Sequence, residues 1–249
     1  MVITSKTNSV ITETKKLKQS KYRKKEGLFI AEGEKNVYDS LKYTSAVKIF
    51  HTENTAIPNG CENCAYTVSE SVMKELCDTV TPQGIIGIFK TPVFSYEKVD
   101  GAIAVLNGVS DPGNVGTILR TALAMNFKTV ICDEKTADVF SPKVVRSAMS
   151  AVFALNILRT EELKKEIISF KEKGYSVYAG ALSGESVEIN KIDFEKKCIL
   201  VMGNEANGVS DEILSVTDKK FIIPMPGGIE SLNVAVAAGI SMYQAKFGK

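Results

Sequence analysis

From Ala102 onward, short apolar runs alternate with segments patterned for helix, and that alternation leaves few folds open. Ala102–Leu106, Thr129–Cys132, Tyr175–Ala179 and Cys198–Met202 read as strands with little polar character on either face, and Phe153–Ile157 is strand-like. Runs of this kind are buried on both sides, and strands so buried belong to parallel sheets whose crossovers are helices. Between them, Gly116–Met125 and Glu161–Lys173 carry helical patterning. Ser141-Pro142 gives a helix start, with serine as cap and proline at the first helical position. The pattern fixes the class as α/β with a mostly parallel sheet but carries no information on strand order.

The last unit of the alternation is the most particular. Phe221-Ile222-Ile223 reads as a buried strand stopped by Pro224. Pro224, Pro226, Gly227 and Gly228 continue neither strand nor helix. Ser231 then reads as an N-cap, followed by a helix of small residues through Ala235, Ala237, Ala238 and Gly239. A loop of this composition at a helix start, with Ser231 and Asn233 as its polar groups, can cradle a ligand.

The preceding part of the chain is a smaller α/β pattern. Gly27–Glu32, Val47–Phe50 and Ile85–Phe89 read as strands, Gly33–Tyr43 as a helix, and Ser69 as the cap of a short helix ending near Leu76. Thr91–Val99 holds a proline and few helix signals, which puts the boundary there, with domains at 1–95 and 96–249. In the first twenty-five residues, Lys6, Lys15, Lys16, Lys18, Lys21, Arg23, Lys24 and Lys25 are set against a single acid, Glu13. Val10 and Leu17 allow one helix with a thin apolar stripe, followed by a basic turn. A solvated face is the ordinary reading of such a run, and a phosphate-contacting arm the sharper one.

Composition excludes several classes. With a net charge of +2, nucleic-acid binding requires a local patch rather than global charge. No apolar run is long enough to span a bilayer and no secretory h-region opens the chain. Five cysteines at irregular spacing suit a reducing cytoplasm better than a disulfide framework. Cys61 and Cys64, with His51 and Cys77 nearby in sequence, permit a metal site on paper. Their spacing fits structural cysteines better, so no metal is expected.

Three strand ends share a composition rich in glycine, asparagine and serine: Asn107–Gly116 leading to Arg120, Gly203–Ser210, and the loop after Ile223. In open parallel sheets ligands sit at such ends, and these residue types permit close backbone approach. Asn-Gly-Val-Ser-Asp occurs twice, at 107–111 and 207–211, as shared turn chemistry would produce. Neither a G-x-G-x-x-G after a strand nor a P-loop is present. The single histidine, His51, lies outside this part of the chain. What remains is one arginine, one glutamate, hydroxyls and amides, a set suited to positioning an already activated reagent.

These three loops, in this order, resemble the three motifs of the SpoU (TrmH-type) RNA ribose 2′-O-methyltransferases of the SPOUT superfamily. The motifs are N-G-V-S-D-P-G-N-V-G-T-I-L-R, V-M-G-N-E-A-N-G-V-S and I-P-M-P-G-G-I-E-S-L-N-V-A-V-A. The resemblance runs from Ala102 to Phe247. F-I-A-E-G at 29–33 looks, more loosely, like part of the small substrate-binding domain many members carry. The resemblance implies a SPOUT domain with a trefoil-knotted C-terminus, a homodimer, and S-adenosylmethionine as cofactor. It implies Asn114, Arg120, Glu205, Ser231 and Asn233 as catalytic-site residues, with Arg120 at the family's catalytic arginine. Gly203, Asn204, Ile223, Met225 and Leu232 would hold the cofactor, and Lys21, Arg23, Lys24 and Lys25 would contact RNA. Ribosomal RNA is favoured over transfer RNA, and the expected compartment is the cytoplasm. The rival reading is a non-catalytic RNA-binding or ribosome-assembly factor of the same fold.

Overall fold

The computed structural model describes residues 2–228 and 231–248. The chain begins with helices α1 (Ser9–Lys16) and α2 (Ser20–Glu26), then β1 (Leu28–Glu32), α3 (Glu34–Leu41), β2 (Ala46–His51), β3 (Ala65–Thr67), α4 (Glu70–Leu76) and β4 (Ile85–Lys90). It continues with β5 (Ile103–Asn107), α5 (Pro112–Ala124), β6 (Thr129–Asp133), α6 (Pro142–Ala148), α7 (Ala151–Ala154), β7 (Asn156–Thr160) and α8 (Leu163–Glu172). Last come β8 (Ser176–Gly180), β9 (Val187–Glu188), β10 (Cys198–Gly203), α9 (Asp211–Leu214), β11 (Lys219–Ile222) and α10 (Val234–Phe247). Two compact units result: the chain up to Val93 together with Asp138–Phe153, and Phe94–Ala137 together with the chain from Ala154 onward.

The first unit is built on a mixed sheet in the order β1-β4-β2-β3. Strand β4 runs antiparallel to both β1 and β2, and β3 is parallel to β2. One core gathers Ile11, Leu17, Ile30, Phe50, Met73, Leu76 and Ile86. A second gathers Phe29, Val37, Ile49 and Phe89, and this one claims Asp138–Phe153. Val145 is buried in it, and the Phe29 ring lies 5.1 Å from Phe140 and 5.5 Å from Phe153 between centroids. Phe140 and Phe153 are partly buried there, each worth about 1 kcal/mol of apolar transfer, which helps hold a short helical segment. Phe153 therefore sits in α7, and the expected strand at 153–157 starts only at Asn156. The basic run is also helical: one helix and a basic turn were expected, and two helices form, broken at Leu17–Gln19.

The second unit is an entirely parallel sheet of seven strands in the order β7-β6-β5-β10-β8-β11-β9. Its core joins Ile103, Val105, Ile131, Val177, Ile199 and Val201 to Ile167 and Phe170 of α8. Because every strand runs the same way, their carboxyl ends share one edge of the sheet. Asn107, Asp133, Gly203 and Ile222 end four of them. Helix α5 starts one turn earlier than its apolar pattern suggests. Asp111 is its N-cap, its Oδ1 accepting from the Asn114 amide at 2.9 Å, and Pro112 takes the first position. At β11 only Phe221 is buried, and Ile223 lies past the strand.

Candidate functional site

The polar groups at this edge are organised by Glu205, in the turn that follows β10. One carboxylate oxygen accepts from the Asp111 amide at 3.1 Å and Asn114 Nδ2 at 3.0 Å. The other accepts from the Ser110 amide at 3.2 Å and its hydroxyl at 3.1 Å. Burial alone would raise the carboxyl. The hydrogen bonds from Asn114 and from the amides of Glu205, Asp111 and Ser110 outweigh it and bring the group from 4.5 down to about 2. Glu205 is thus an anion held by the start of α5, where amides and the helix dipole both favour negative charge.

Asn114 extends the chain of bonds. Its Nδ2 donates to Glu205, and its Oδ1 accepts from Asn233 Nδ2 at 3.0 Å. Asn233 in turn caps α10, its Oδ1 accepting from the Ala235 amide at 2.9 Å. This corrects the expected cap at Ser231. Asparagine caps as well as serine, and Asn233 is the residue placed against Val234. Ser231 is exposed and makes no hydrogen bond with the described residues; Ile229 and Glu230, part of the third motif, lie outside them.

Asn204 ties the second loop to the first. Its Nδ2 donates to Gly108 O at 2.8 Å, while its Oδ1 accepts from the Ala206 and Asn207 amides. The repeated pentapeptide has a structural meaning. Both copies place glycine at positive φ, Gly108 at 76° and Gly208 at 68°, and both run into a helix start. The copies also touch, with the Ser210 amide donating to Asn107 Oδ1 at 2.8 Å. Gly203 is glycine for a steric reason: a Cβ there would lie 2.1 Å from Gly208 C. Ile223, Met225 and Leu232 are each half-buried, apolar side chains on the loop before α10.

Arg120 is exposed on α5 and makes no ion pair with any described residue. Six residues separate it from Asn114, about 9 Å along the helix axis. Of the expected RNA contacts, Lys21, Lys24 and Lys25 are exposed, and Lys21 Nζ lies 5.8 Å from the Tyr22 ring centre. Arg23 is not available with them. It is 5% exposed, paired with Asp138, and donates to the carbonyls of Leu17 and Lys18 at 2.8 and 2.7 Å. Lys6 and Lys15 face Glu75, and Lys18 faces Asp78 at 2.8 Å. The residues that sequence reasoning missed are Ser110, Asp111, Asn107 and Asp133. An aspartate directly before proline at a helix start was a readable signal for Asp111.

All five cysteines are free thiols. Among the described residues no group of three or more His, Cys, Asp or Glu side chains is placed to hold a metal ion. Nor is any helix among them long and apolar enough to cross a membrane.

Comparison with known proteins places these features in context. Residues 101–243 match the SpoU rRNA methylase family, and residues 8–87 match an MRM3-like substrate-binding domain. The 23S rRNA (guanosine(2553)-2′-O)-methyltransferase RlmP of Bacillus subtilis is 35% identical over 98% of this chain and 98% of its own. A tRNA (guanosine(18)-2′-O)-methyltransferase of Aquifex aeolicus is 46% identical, over 33% of this chain and 39% of its own. The AdoMet-bound rRNA methyltransferase of Sinorhizobium meliloti superposes with a TM-score of 0.86 at 30% identity, covering 98% of this chain and 97% of its own.

Proposed function

The chain belongs to the SpoU rRNA methylase family, and from that membership we propose that it methylates the 2′-hydroxyl of an RNA ribose, using S-adenosylmethionine. The observation that carries the reading is the bond chain Glu205–Asn114–Asn233, which joins one polar residue from each of the three motif loops. Ribosomal RNA is the favoured substrate. The ribosomal relative spans both units, whereas the transfer-RNA relative matches a third of the chain. In this reading residues 1–95 recognise RNA and 96–249 carry the transfer reaction.

The residues present fit the cofactor. Gly203 leaves the end of β10 bare of a side chain, and Asn204 fixes the turn beyond it. Ile223, Met225 and Leu232 supply apolar walls that are half open to solvent. When bound, S-adenosylmethionine supplies a methyl group already activated on sulfonium. A guanidinium is a poor base, so Arg120 acts by stabilising negative charge as it develops on the ribose oxygen. A neighbouring RNA phosphate is the acceptor for the hydroxyl proton. Glu205, ionised down to about pH 2 and engaged through both oxygens, holds the loops in place rather than serving as a base. Lys21, Lys24 and Lys25 contact phosphates.

The working form is a homodimer. Helix α10 exposes Val236, Ile240, Tyr243 and Phe247, which recur at helical spacing as one stripe, and Leu123 of α5 is exposed as well. A second copy is the occupant that buries this stripe in the same act for both chains. A knotted C-terminal segment and a cytoplasmic location belong to the same proposal.

Isothermal titration with S-adenosylmethionine and tritium transfer to large-subunit ribosomal RNA and to bulk transfer RNA test it. Saturable cofactor binding with label in ribosomal RNA, at a position resistant to alkaline cleavage, is expected. Label confined to transfer RNA overturns the substrate, and RNA binding without any transfer establishes the non-catalytic factor instead.

A further inference from the structure

Asp133, at the end of β6, belongs to none of the three motif loops, yet the first is fastened to it directly and the second through Asn107. It is 9% exposed. Its Oδ1 accepts from the Gly108 amide at 3.0 Å, the Thr136 amide at 2.8 Å and the Thr136 hydroxyl at 2.7 Å. Its Oδ2 accepts from Asn107 Nδ2 at 3.0 Å. The amide of Asn107 is thereby oriented, and its other end, Oδ1, accepts from the Ser210 amide at 2.8 Å. The bonds thus run from β6 through the first motif loop into the helix start that follows the second. Arg159 Nη2 braces the same turn by donating to the carbonyls of Glu134 and Thr136 at 2.8 and 2.7 Å. Thr136 Oγ1 also reaches Leu106 O at 2.9 Å.

We infer that the Asp133–Asn107 pair is the positioning device that sets the register between the first and second motif loops, and so between Asn114 and Glu205. The inference rests on the methyltransferase reading above. It follows from donor and acceptor counting. Asp133 must accept on both oxygens, because every group facing it is a donor. Asn107 must donate on one side and accept on the other. With both groups almost wholly buried, water does not repair a mismatch.

The pair can be exchanged, which gives a sharp test. Asp133→Asn sets an NH2 against the NH2 of Asn107. Turning either amide over moves the conflict to the Ser210 amide or to the amides of Gly108 and Thr136. Asn107→Asp sets two carboxylates against each other. The double exchange restores every partner: Asn at 133 donates to Asp at 107, which still accepts from Ser210. Each single variant is therefore expected to lose roughly tenfold or more in kcat, with KM for RNA little changed, and the double variant to return to within about threefold of wild type.

A second readout does not depend on activity. Hydrogen exchange should quicken in 107–112 and 204–211 in each single variant, stay unchanged in 28–51, and revert in the double variant. Two single variants as active as wild type, or a double variant no better than either single, would overturn the inference. Exchange that rises uniformly with a lowered melting point assigns the pair to general stability and also overturns it. Failure of the methyltransferase reading shows separately, as a wild-type chain that transfers no methyl group while the exchange pattern still follows the swap.

Discussion

Replacing Glu205 by glutamine separates the anion from its shape and can be read without substrate. The carboxylate receives hydrogen bonds from Ser110, Asp111 and Asn114, and they lower it from 4.5 to about 2. At full weight that depression corresponds to roughly 3 kcal/mol. Glu205 stands on the surface, where solvent screens such interactions, so the working figure is halved to about 1.5 kcal/mol. The folded-state value lies below the unfolded one. The contribution is therefore complete above about pH 5.5 and disappears as pH falls toward 2. Urea unfolding followed by circular dichroism, at fixed protein concentration, should find Glu205→Gln about 1.5 kcal/mol less stable at pH 7, with more than half of that difference gone by pH 3. The amide that replaces one oxygen faces donors, so methyl transfer should fall with stability at neutral pH. A variant as stable as wild type at pH 7, or a deficit that stays constant down to pH 3, would refute the account: the amides of the first loop would then not be holding a charge.

Four other perturbations have definite expectations. Arg120→Ala should lower methyl transfer on the order of a hundredfold while leaving cofactor affinity within error by titration, and Arg120→Lys should not rescue it. Gly203→Ala drives a Cβ into the Gly208 backbone, so it should cost about 2 kcal/mol in thermal unfolding and weaken S-adenosylmethionine binding measured calorimetrically. Arg23→Met removes the charge partner of half-buried Asp138, leaving it Ser20 and the Phe140 amide, and should destabilise the chain by about 2 kcal/mol in urea. The paired change Lys24→Glu with Lys25→Glu should leave stability alone and weaken RNA binding, with a shallower salt dependence by filter assay.

The contrast between Arg23 and its lysine neighbours shows where sequence reasoning stops. In the chain all of them belong to one basic run. The partner that takes Arg23 inward, Asp138, lies 115 residues away, and no local pattern announces it. The same holds for Phe153, whose neighbourhood reads as strand until Phe29 and Phe89 are beside it. By contrast, the strands of the second unit were legible because burial on both faces writes itself as continuous apolar runs. Asn114, Glu205 and Asn233 were singled out because they stand at the polar positions of loops that resemble the family's three motifs. Strand order was not, because β10 lies between β5 and β8 through pairings that any apolar strand could make. Asp133 went unread for a different reason: an aspartate closing an apolar strand looks like an ordinary stop, and only its three donor partners, Asn107, Gly108 and Thr136, distinguish it.

The groups that start the two helices also build the site, and this ties local stability to the geometry of the reaction. Asp111 caps α5 with its side chain while its own amide is given to Glu205. Asn233 caps α10 with Oδ1 while Nδ2 holds Asn114. At Asn233 one side chain performs both tasks, so neither can be optimised without altering the other. A cap is worth about 1 kcal/mol; alanine at 111 removes the cap and leaves the backbone amide for Glu205, whereas alanine at 233 removes the cap together with the link from Asn114 to α10. Serine at 233 would keep the cap but, being too short to offer both an acceptor to Ala235 and a donor to Asn114, would break the link. The start of α10 is thus held by a side chain long enough to face two ways. That requirement explains why asparagine, rather than the equally good cap serine, stands directly before Val234.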